Sequence, residues 1–526
     1  MPPTATRLQP TRTAATITYG PYTSIQVNVN AFGFDVLNDA ANEPSLAVNP
    51  INHNQMVIGW RQFDNIASNF REAGVGYTTN GGLTWTAGKI QAGVFRSDPV
   101  LAAGPGGSIY YNSLTTYYGP LSTQVFRSYT GGTTWEAGVF AYGGDKQWMM
   151  VDTEYENLYQ TWSIASNNYA PNTFNKSVDQ GDTYNLPSSV PGAPIWGTLA
   201  ADPASRVYLV GWADSLDYLT DIVVSRSLDA SLHDSEPATF TNVPVNLGGY
   251  LSIGGPNPGG LLGQLWIAAD LSNGPRSGWI YVLASVYTPT DPVDVNFIRS
   301  TDHGLTWSAP KRVNDDPTGT RAFQWFGTMS VAPSGRIDAV WNDTRGSADS
   351  TISALYYSYS ADGGTTWSPN LQVTPTWSSV IGWPNQQKIG DYYDTTSDDN
   401  GVDVAYAATF TGGQNVYYLR IPNSVTGVGT PQAATPLRLE NTPNPFAHAT
   451  TIRFDAPVAG GNVRLEIFDL AGHRVTTLAD GFRAGAAQSI AWDGARSDGT
   501  QAPPGVYLCR LVAGGATQTH KMLRIR

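Results

Sequence analysis

Cysteine is almost missing from this chain of 526 residues: Cys509 stands alone, so no intrachain disulfide forms and the redox compartment is left undecided. Its setting, Val506-Tyr507-Leu508-Cys509-Arg510-Leu511, reads as a strand in which Cys509 is a small structural side chain on one face. Charge is sparse at 14% of residues, and 30 basic against 42 acidic side chains leave a net charge of -12. That balance gives no electrostatic reason to hold phosphate backbones or anionic lipid, and it excludes nucleic acid as a partner. No run of eighteen apolar residues occurs, which excludes a transmembrane helix. The six histidines are scattered, with no HExxH and no paired spacing, so no zinc site is expected. Walker and dinucleotide-type glycine loops are absent as well. The start, Met1-Pro2-Pro3-Thr4, has neither a basic n-region nor an apolar h-region, so no signal peptide is read there.

What the chain has in plenty is turn formers, Gly 55 and Pro 35, and amphipathic aromatics, Trp 16 and Tyr 27. That mixture predicts many short strands joined by turns. One repeat is visible directly. Thr78-Thr79-Asn80-Gly81-Gly82-Leu83-Thr84-Trp85 recurs at 128–135, at Ser300-Thr301-Asp302-His303-Gly304-Leu305-Thr306-Trp307 and at 360–367. A weaker copy occupies 177–184, and Ser227-Leu228-Asp229 is a remnant of another. The pattern is a hairpin turn: the Asp or Asn side chain folds onto backbone N–H groups, the glycine takes positive φ, and the aromatic packs between neighbouring sheets. A second pattern, an apolar strand, a turn and a second apolar strand, occurs seven times, starting near Pro44, Pro99, Trp148, Trp196, Leu265, Gly327 and Gly390. The seventh copy is short of strands, and Ser24 to Asn30, alternating at period two, is free to supply one.

The pattern S/T-x-D-x-G-x-T-W resembles the Asp box (BNR repeat) of sialidase-type β-propellers. The resemblance implies an all-β propeller over residues 15–422, seven-bladed with six blades as the alternative, after a tail at 1–14. A linker is expected at 423–436. Beyond it, Asn441-Thr442-Pro443-Asn444-Pro445-Phe446, the alternating Val463 to Asp469, Trp492-Asp493-Gly494 and Gly505-Val506-Tyr507 form an ordered series. That series resembles the sorting domains of type IX secretion and the immunoglobulin-like domain of the flagellar hook-capping protein. It implies an immunoglobulin-like β-sandwich over 437–526, a bacterial secretion machinery as partner, and a secreted or cell-surface location, the signal peptide being encoded outside this chain.

In such a fold the boxes lie on the face away from the ligand, so candidate site residues come from the first-strand starts and the loops after second strands. Two kits stand out: Asp145-Lys146-Gln147-Trp148, and Lys388-Ile389-Gly390-Asp391-Tyr392. With Arg61, Trp325 and Arg345 they are expected to converge on one mouth. Tyr117, Tyr118 and Asp214 stand in the same set of loops. Resemblance to sialidases implies Tyr392 as nucleophile with Asp391 or Asp145 as its carboxylate and as acid/base. Arg61, Lys146, Trp148, Arg345, Trp325 and Lys388 would then hold a glycan or glycoprotein ligand. The sialidase set is incomplete: Asn42-Glu43-Pro44-Ser45 replaces the arginine-isoleucine-proline signature, and no third clamping arginine or glutamate partner is found. The expected function is a carbohydrate-active propeller, a glycoside hydrolase on acidic or terminal sugars, with a non-catalytic glycan- or protein-binding propeller as the alternative. No cofactor is expected; calcium is the ion that a ring of Glu43, Asp98, Asp145 and Asp391 would take.

Overall fold

The computed structural model describes residues 10–525 apart from 117–120, 165–166, 215–218, 233–235, 424–437, 456–460, 470–472, 484–486 and 514–515. Tyr117, Tyr118, His233 and nearly all of the expected linker lie outside the described residues, as does the side chain of Asp214. Among the described residues every regular element is a β-strand. The chain divides into two compact units, residues 1–424 and 425–526.

Among the described residues the first unit contains seven antiparallel sheets of four or five strands, in chain order I (residues 40–89), II (96–140), III (148–189), IV (199–245), V (266–312), VI (324–378) and VII (394–422), and two smaller two-stranded ones. Sheets I to VI are meanders, each strand pairing with the next in sequence, except that Trp377–Ser378 of sheet VI pairs with Ile352–Ser360. Second strands such as Met56–Phe63 and Ile280–Val286 are buried along their whole length, whereas the outer strand Thr86–Lys89 alternates between half-buried and exposed. A continuous apolar run is therefore covered on both sides by neighbouring sheets, and polar residues enter where that cover ends. First strands adjoin one another in the order I to VII, and Asp394–Asp398 of sheet VII adjoins Ala40–Val48 of sheet I. There the Asp394 carboxylate accepts from Ser45 Oγ at 2.7 Å and from the Leu46 N–H at 2.9 Å.

Sheet VII is completed from the other end of the sequence. Tyr22–Gln26 pairs with Asn415–Pro422, and Thr16–Tyr19 adds a fifth strand outside it. The borrowed strand thus sits slightly upstream of the expected 24–30. Thr11–Thr13 pairs with Phe34–Val36, so part of the stretch expected to be a tail is a strand.

The box turns follow from local hydrogen bonding. In Ser300 to Trp307 the Ser300 hydroxyl donates to Asp302 Oδ1 at 2.8 Å and accepts from the Gly304 N–H at 2.8 Å. Asp302 Oδ1 accepts from the Thr306 N–H at 2.9 Å, while its Oδ2 takes the Thr306 hydroxyl at 2.6 Å. Gly82, Gly132, Gly181, Gly304 and Gly364 all sit at φ between 81° and 88°. The remnant at Ser227 to Asp229 makes the same bonds, but to Thr239, ten residues beyond the aspartate instead of four. Box glycines also touch the preceding sheet: a Cβ at Gly364 would lie 2.0 Å from the Phe297 ring, and one at Gly82 2.1 Å from the Tyr418 ring.

The second unit has a three-stranded sheet in the order Leu439–Thr442, Thr450–Asp455, Ala487–Trp492, and a four-stranded sheet in the order Arg474–Arg483, Gly461–Asp469, Gly505–Ala513, Ala516–Arg524. Val463, Leu465 and Ile467 alternate into a core shared with Phe454, Trp492, Tyr507, Leu511 and Met522. Cys509 lies in that core, where burial pushes its thiol up to about 12, so it acts as a packed apolar group.

Candidate functional site

Every first strand of the first unit is preceded or opened by a residue in the left-handed region. The seven are Glu43 (φ 51°), Asp98 (46°), Lys146 (57°), Trp196 (61°), Gly263 (139°), Phe326 (60°) and Gly390 (101°). Five carry a side chain, at a cost of order 1–3 kcal/mol each that only surrounding contacts can sustain. Because such a residue interrupts the pleat, the side chains on either side of it depart from simple alternation. Charged groups gather at the turns of sheets I, II, III and VII, at the end opposite the box turns of the other strands.

Four carboxylates and four cations meet there. Glu43, Arg61, Asp98 and Asp391 are almost wholly buried, and Lys388 is nearly so. Lys146 and Lys388 both donate to Asp391 Oδ2. Lys388 Nζ also stands 3.3 Å from Glu43, whose other oxygen is 3.1 Å from Arg61 Nε. Arg61 donates to Asn42 Oδ1 and Gln386 Oε1, both at 2.9 Å. Asp98 accepts from Ser97, and Arg71 Nε donates to Ser97 Oγ at 2.9 Å. Asp145, Lys146 and Arg71 are the members with the most solvent contact, all part-exposed.

The members titrate in opposite directions. Burial works against the charge on Asp391, yet Lys146, Lys388 and Arg61 hold its carboxyl well below the usual range. Asp98 is likewise kept low, its burial outweighed by Lys146 and Arg61. Glu43 is pushed up by complete burial, which Arg61 and Lys388 only partly offset. Asp145 is pushed up by burial and then by the neighbouring Asp98. Both Glu43 oxygens, Asp98 Oδ2 and Arg61 Nη2 are buried without a hydrogen-bond partner in this structure.

A hairpin from the connection between sheets IV and V, Ile253–Gly254 and Asn257–Leu261, lies over the cluster. The Leu261 N–H donates to Asp391 Oδ1 at 2.9 Å, and Asn257 Nδ2 donates to the Gly390 carbonyl at 2.8 Å. Gly259 and Gly260 permit this approach, since a Cβ at Gly260 would fall 2.7 Å from Asp391 Oδ1. Further along the first strands, Trp148 packs edge-on against Trp266 at 5.1 Å and Tyr392 at 5.2 Å.

The structure thus brings Arg61, Asp145, Lys146, Lys388 and Asp391 together, and corrects the other site expectations. Tyr392 is buried, donates its hydroxyl to the Pro99 carbonyl at 2.8 Å and has its phenol pushed well up by burial, so it is not poised as a nucleophile. Trp148 is a core residue, not a sugar platform. Trp325 is fully buried between Phe326 and Trp377, its indole N–H on Ser353 Oγ at 3.0 Å. Arg345 belongs elsewhere: its guanidinium donates to Asp343 and Asn370, each at 2.9 Å, also pairs with Asp315, and lies 4.6 Å over the Tyr356 ring. Among the described residues no group of three or more His, Cys, Asp and Glu side chains is arranged to hold a metal ion. Arg71 was missed by sequence reasoning; its position at the start of a third strand, beside Ser97 and 4.7 Å over the Phe95 ring, is its one signal.

Residues 444–516 match the family described as the FlgD Ig-like domain. No curated protein sequence matches the chain. Among solved structures it is similar to a protein of unknown function from Dyadobacter fermentans, at 14% identity and a TM-score of 0.44, over 76% of this chain and 98% of that one. It is also similar to PorZ, described as an essential surface component of the type-IX secretion system of Porphyromonas gingivalis, at 11% identity and a TM-score of 0.32, over 97% of this chain and 75% of that one. A third is an ulvan lyase of polysaccharide lyase family PL25, at 11% identity and a TM-score of 0.44, over 75% of this chain and 95% of that one.

Proposed function

We propose that the first unit is a seven-bladed β-propeller of the sialidase-type box class, and that the chain is a secreted or cell-surface bacterial protein binding an acidic saccharide at the ion cluster. Seven sheets whose first strands adjoin in sequence order, with the last beside the first, support seven blades over six. The completion of sheet VII by Tyr22–Gln26 supports closure, because it pairs what would otherwise be an open edge. The match to the FlgD Ig-like domain supports a surface role for residues 437–526 and a contact there with secretion machinery.

The observation that carries the ligand reading is the imbalance inside the cluster. Arg61, Arg71, Lys146 and Lys388 face four carboxylates, of which Glu43 and Asp145 are biased toward the neutral form. Burial lowers Lys388 and Arg71 as well, whereas the surrounding carboxylates hold Lys146 firmly protonated despite burial, so a sugar carboxylate entering beside the part-exposed Lys146 and Arg71 supplies the counter-charge that protonation of Glu43 or Asp145 would withdraw. The occupied hydroxyl of Tyr392 favours binding without chemistry. Hydrolysis is the second reading, supported by the opposite displacement of Asp145 and Asp98, the pattern of an acid and a base.

Calorimetry with sialylated and uronate oligosaccharides tests this. Asp145 and Glu43 are both raised above the ordinary carboxylate range, and their protonation adds net positive charge, so affinity is expected to rise as pH falls toward the point where they protonate, for as long as the sugar carboxylate stays ionised. Arg71→Ala is expected to weaken binding, and no sugar is turned over. Retention of no acidic glycan, or tighter binding at the alkaline end, refutes the assignment; release of product moves it to the hydrolase reading.

A further inference from the structure

A cavity of the first unit lies away from the ion cluster. It has a volume of about 1060 Å³ and lies among the loops of sheets V and VI, with Asp315, Asp316, Arg321, Phe323 and Arg345 in its wall. We propose that this cavity is a second binding site, for a neutral oligosaccharide, separate from the cluster and independent of what the cluster binds.

Size and charge narrow the ligand class first. The volume is at the upper end for small-molecule sites and fits several sugar rings. The charged side chains of the wall are two aspartates and two arginines, so their formal charges cancel and an anionic chain gains no net attraction. The two arginines are not equivalent. Arg345 is fixed by Asp343, Asp315, Asn370 and the Tyr356 ring, whereas Arg321 is exposed and has no hydrogen-bond or ion-pair partner among the described residues. Asp315 remains half-exposed, at 49% of its side-chain surface, despite its bond to Arg345. A guanidinium that only donates and a carboxylate that only accepts, in the wall of one cavity, suit sugar hydroxyls, which do both.

One aromatic side chain lies in the wall, and two more lie on the segments that lead to it. Phe323 is half-buried and abuts Gly255 of the hairpin, where a Cβ would fall 2.7 Å from its ring. Five residues before Gly255, Tyr250 pairs with Tyr287 through two backbone hydrogen bonds, and their rings lie 5.2 Å apart. Both rings are exposed, at 53% and 41%. The loop that carries Tyr287 turns through Thr288 and Asp291 into Pro292 of the cavity wall. Asp291 Oδ1 and Gln324 Oε1, in residues adjoining Pro292 and Phe323 of that wall, are buried acceptors without a partner. The Phe323 ring in the wall of a polar cavity, with exposed tyrosines on the segments that lead to it, suits the two faces of a pyranose, whose C–H side stacks while its hydroxyl rim is hydrogen-bonded.

The test is calorimetry on the full chain with cellohexaose, xylohexaose, mannohexaose and maltohexaose, and with hexagalacturonate as the charged arm. At least one neutral hexasaccharide is expected to bind. Arg321→Ala and Tyr287→Ala, both at exposed positions, are each expected to weaken it at least about fivefold with thermal unfolding unchanged. Arg71→Ala, in the ion cluster, is expected to leave neutral binding intact even if it abolishes acidic binding, so failure of one site is separable from failure of the other. Absence of heat with every neutral sugar overturns the proposal. So does neutral binding that is lost in Arg71→Ala but kept in Arg321→Ala, and so does hexagalacturonate as the only ligand sensitive to Arg321→Ala.

Discussion

Replacing Gly364 by alanine isolates the contact between a box turn and the sheet before it. Gly364 has φ +81°, and an added Cβ would lie 2.0 Å from Phe297 Cε1. Phe297 is itself buried and packed edge-on against Trp367 at 5.3 Å, so it has little room to yield. Gly412 is the matched control, with φ +87° and no atom within 4 Å of its built Cβ. Both substitutions restrict the unfolded chain equally and both put alanine in the left-handed region, at a cost of about 1–2 kcal/mol. Only Gly364→Ala adds overpacking, typically about 1–3 kcal/mol. Gly364→Ala is therefore expected to cost about 3 kcal/mol and Gly412→Ala about 1 kcal/mol. With an unfolding entropy of about 2.1 cal/mol/K per residue over a unit of 424 residues, the difference corresponds to about 2 °C in Tm. Urea unfolding followed by tryptophan fluorescence resolves it better, because every tryptophan except Trp492 lies in the first unit. Equal destabilisation by the two variants would refute the claim that the box glycine carries the sheet-to-sheet contact.

Two further outcomes are expected. Asp39 is pushed up to about 7, mainly by burial, with its carboxyl accepting from Gln62 Nε2 at 2.9 Å. A raised folded-state value gives a contribution that is full below about pH 4 and lost as pH rises through about 7, by as much as about 4 kcal/mol. Asp39→Asn should match the wild type in Tm near pH 4 and exceed it near pH 8; a difference that does not change with pH speaks against the buried carboxyl. Deleting residues 1–30 removes Tyr22–Gln26 and leaves the Asn415–Pro422 edge unpaired, so size-exclusion chromatography is expected to show oligomers that a synthetic peptide of residues 10–30 disperses. A monomeric deletion variant of wild-type stability would remove the N-terminal strands from the account of sheet VII.

What was legible in the sequence is what is decided locally. Asp302 and Thr306 are four residues apart, and their bonds need nothing from the rest of the chain. The turn at Asp229 was only half legible because six more residues separate it from its threonine. Strand starts brought Asp145, Lys146, Lys388 and Asp391 into one set, since equivalent positions of adjoining strands meet. Arg345 and Trp325 were misplaced because position along a strand does not give distance from the cluster. Arg345 leaves the strand Ile337–Asp343 and is turned aside by Asp343, the last residue of that strand, and by Asp315, whose position depends on a separate loop. Trp148 and Tyr392 stand two residues after Lys146 and Gly390, and the left-handed backbone there spoils any alternation argument about which way they point. Glu43 and Lys388 form a pair across 345 positions of sequence, which no local pattern displays.

The pairing of Tyr22–Gln26 with Asn415–Pro422 also sets a clock on biosynthesis. A ribosome adding about 5–20 residues per second separates the appearance of those two strands by roughly 20–80 s. Throughout that interval Tyr22–Gln26 has only Thr16–Tyr19 beside it, and the rest of sheet VII does not exist. Sheets I to VI emerge with both end faces uncovered, so the nascent unit is long exposed to chaperones, proteases and export factors before it can lock. Only when residue 422 is clear of the ribosome does the oldest part of the chain find its place beside the newest.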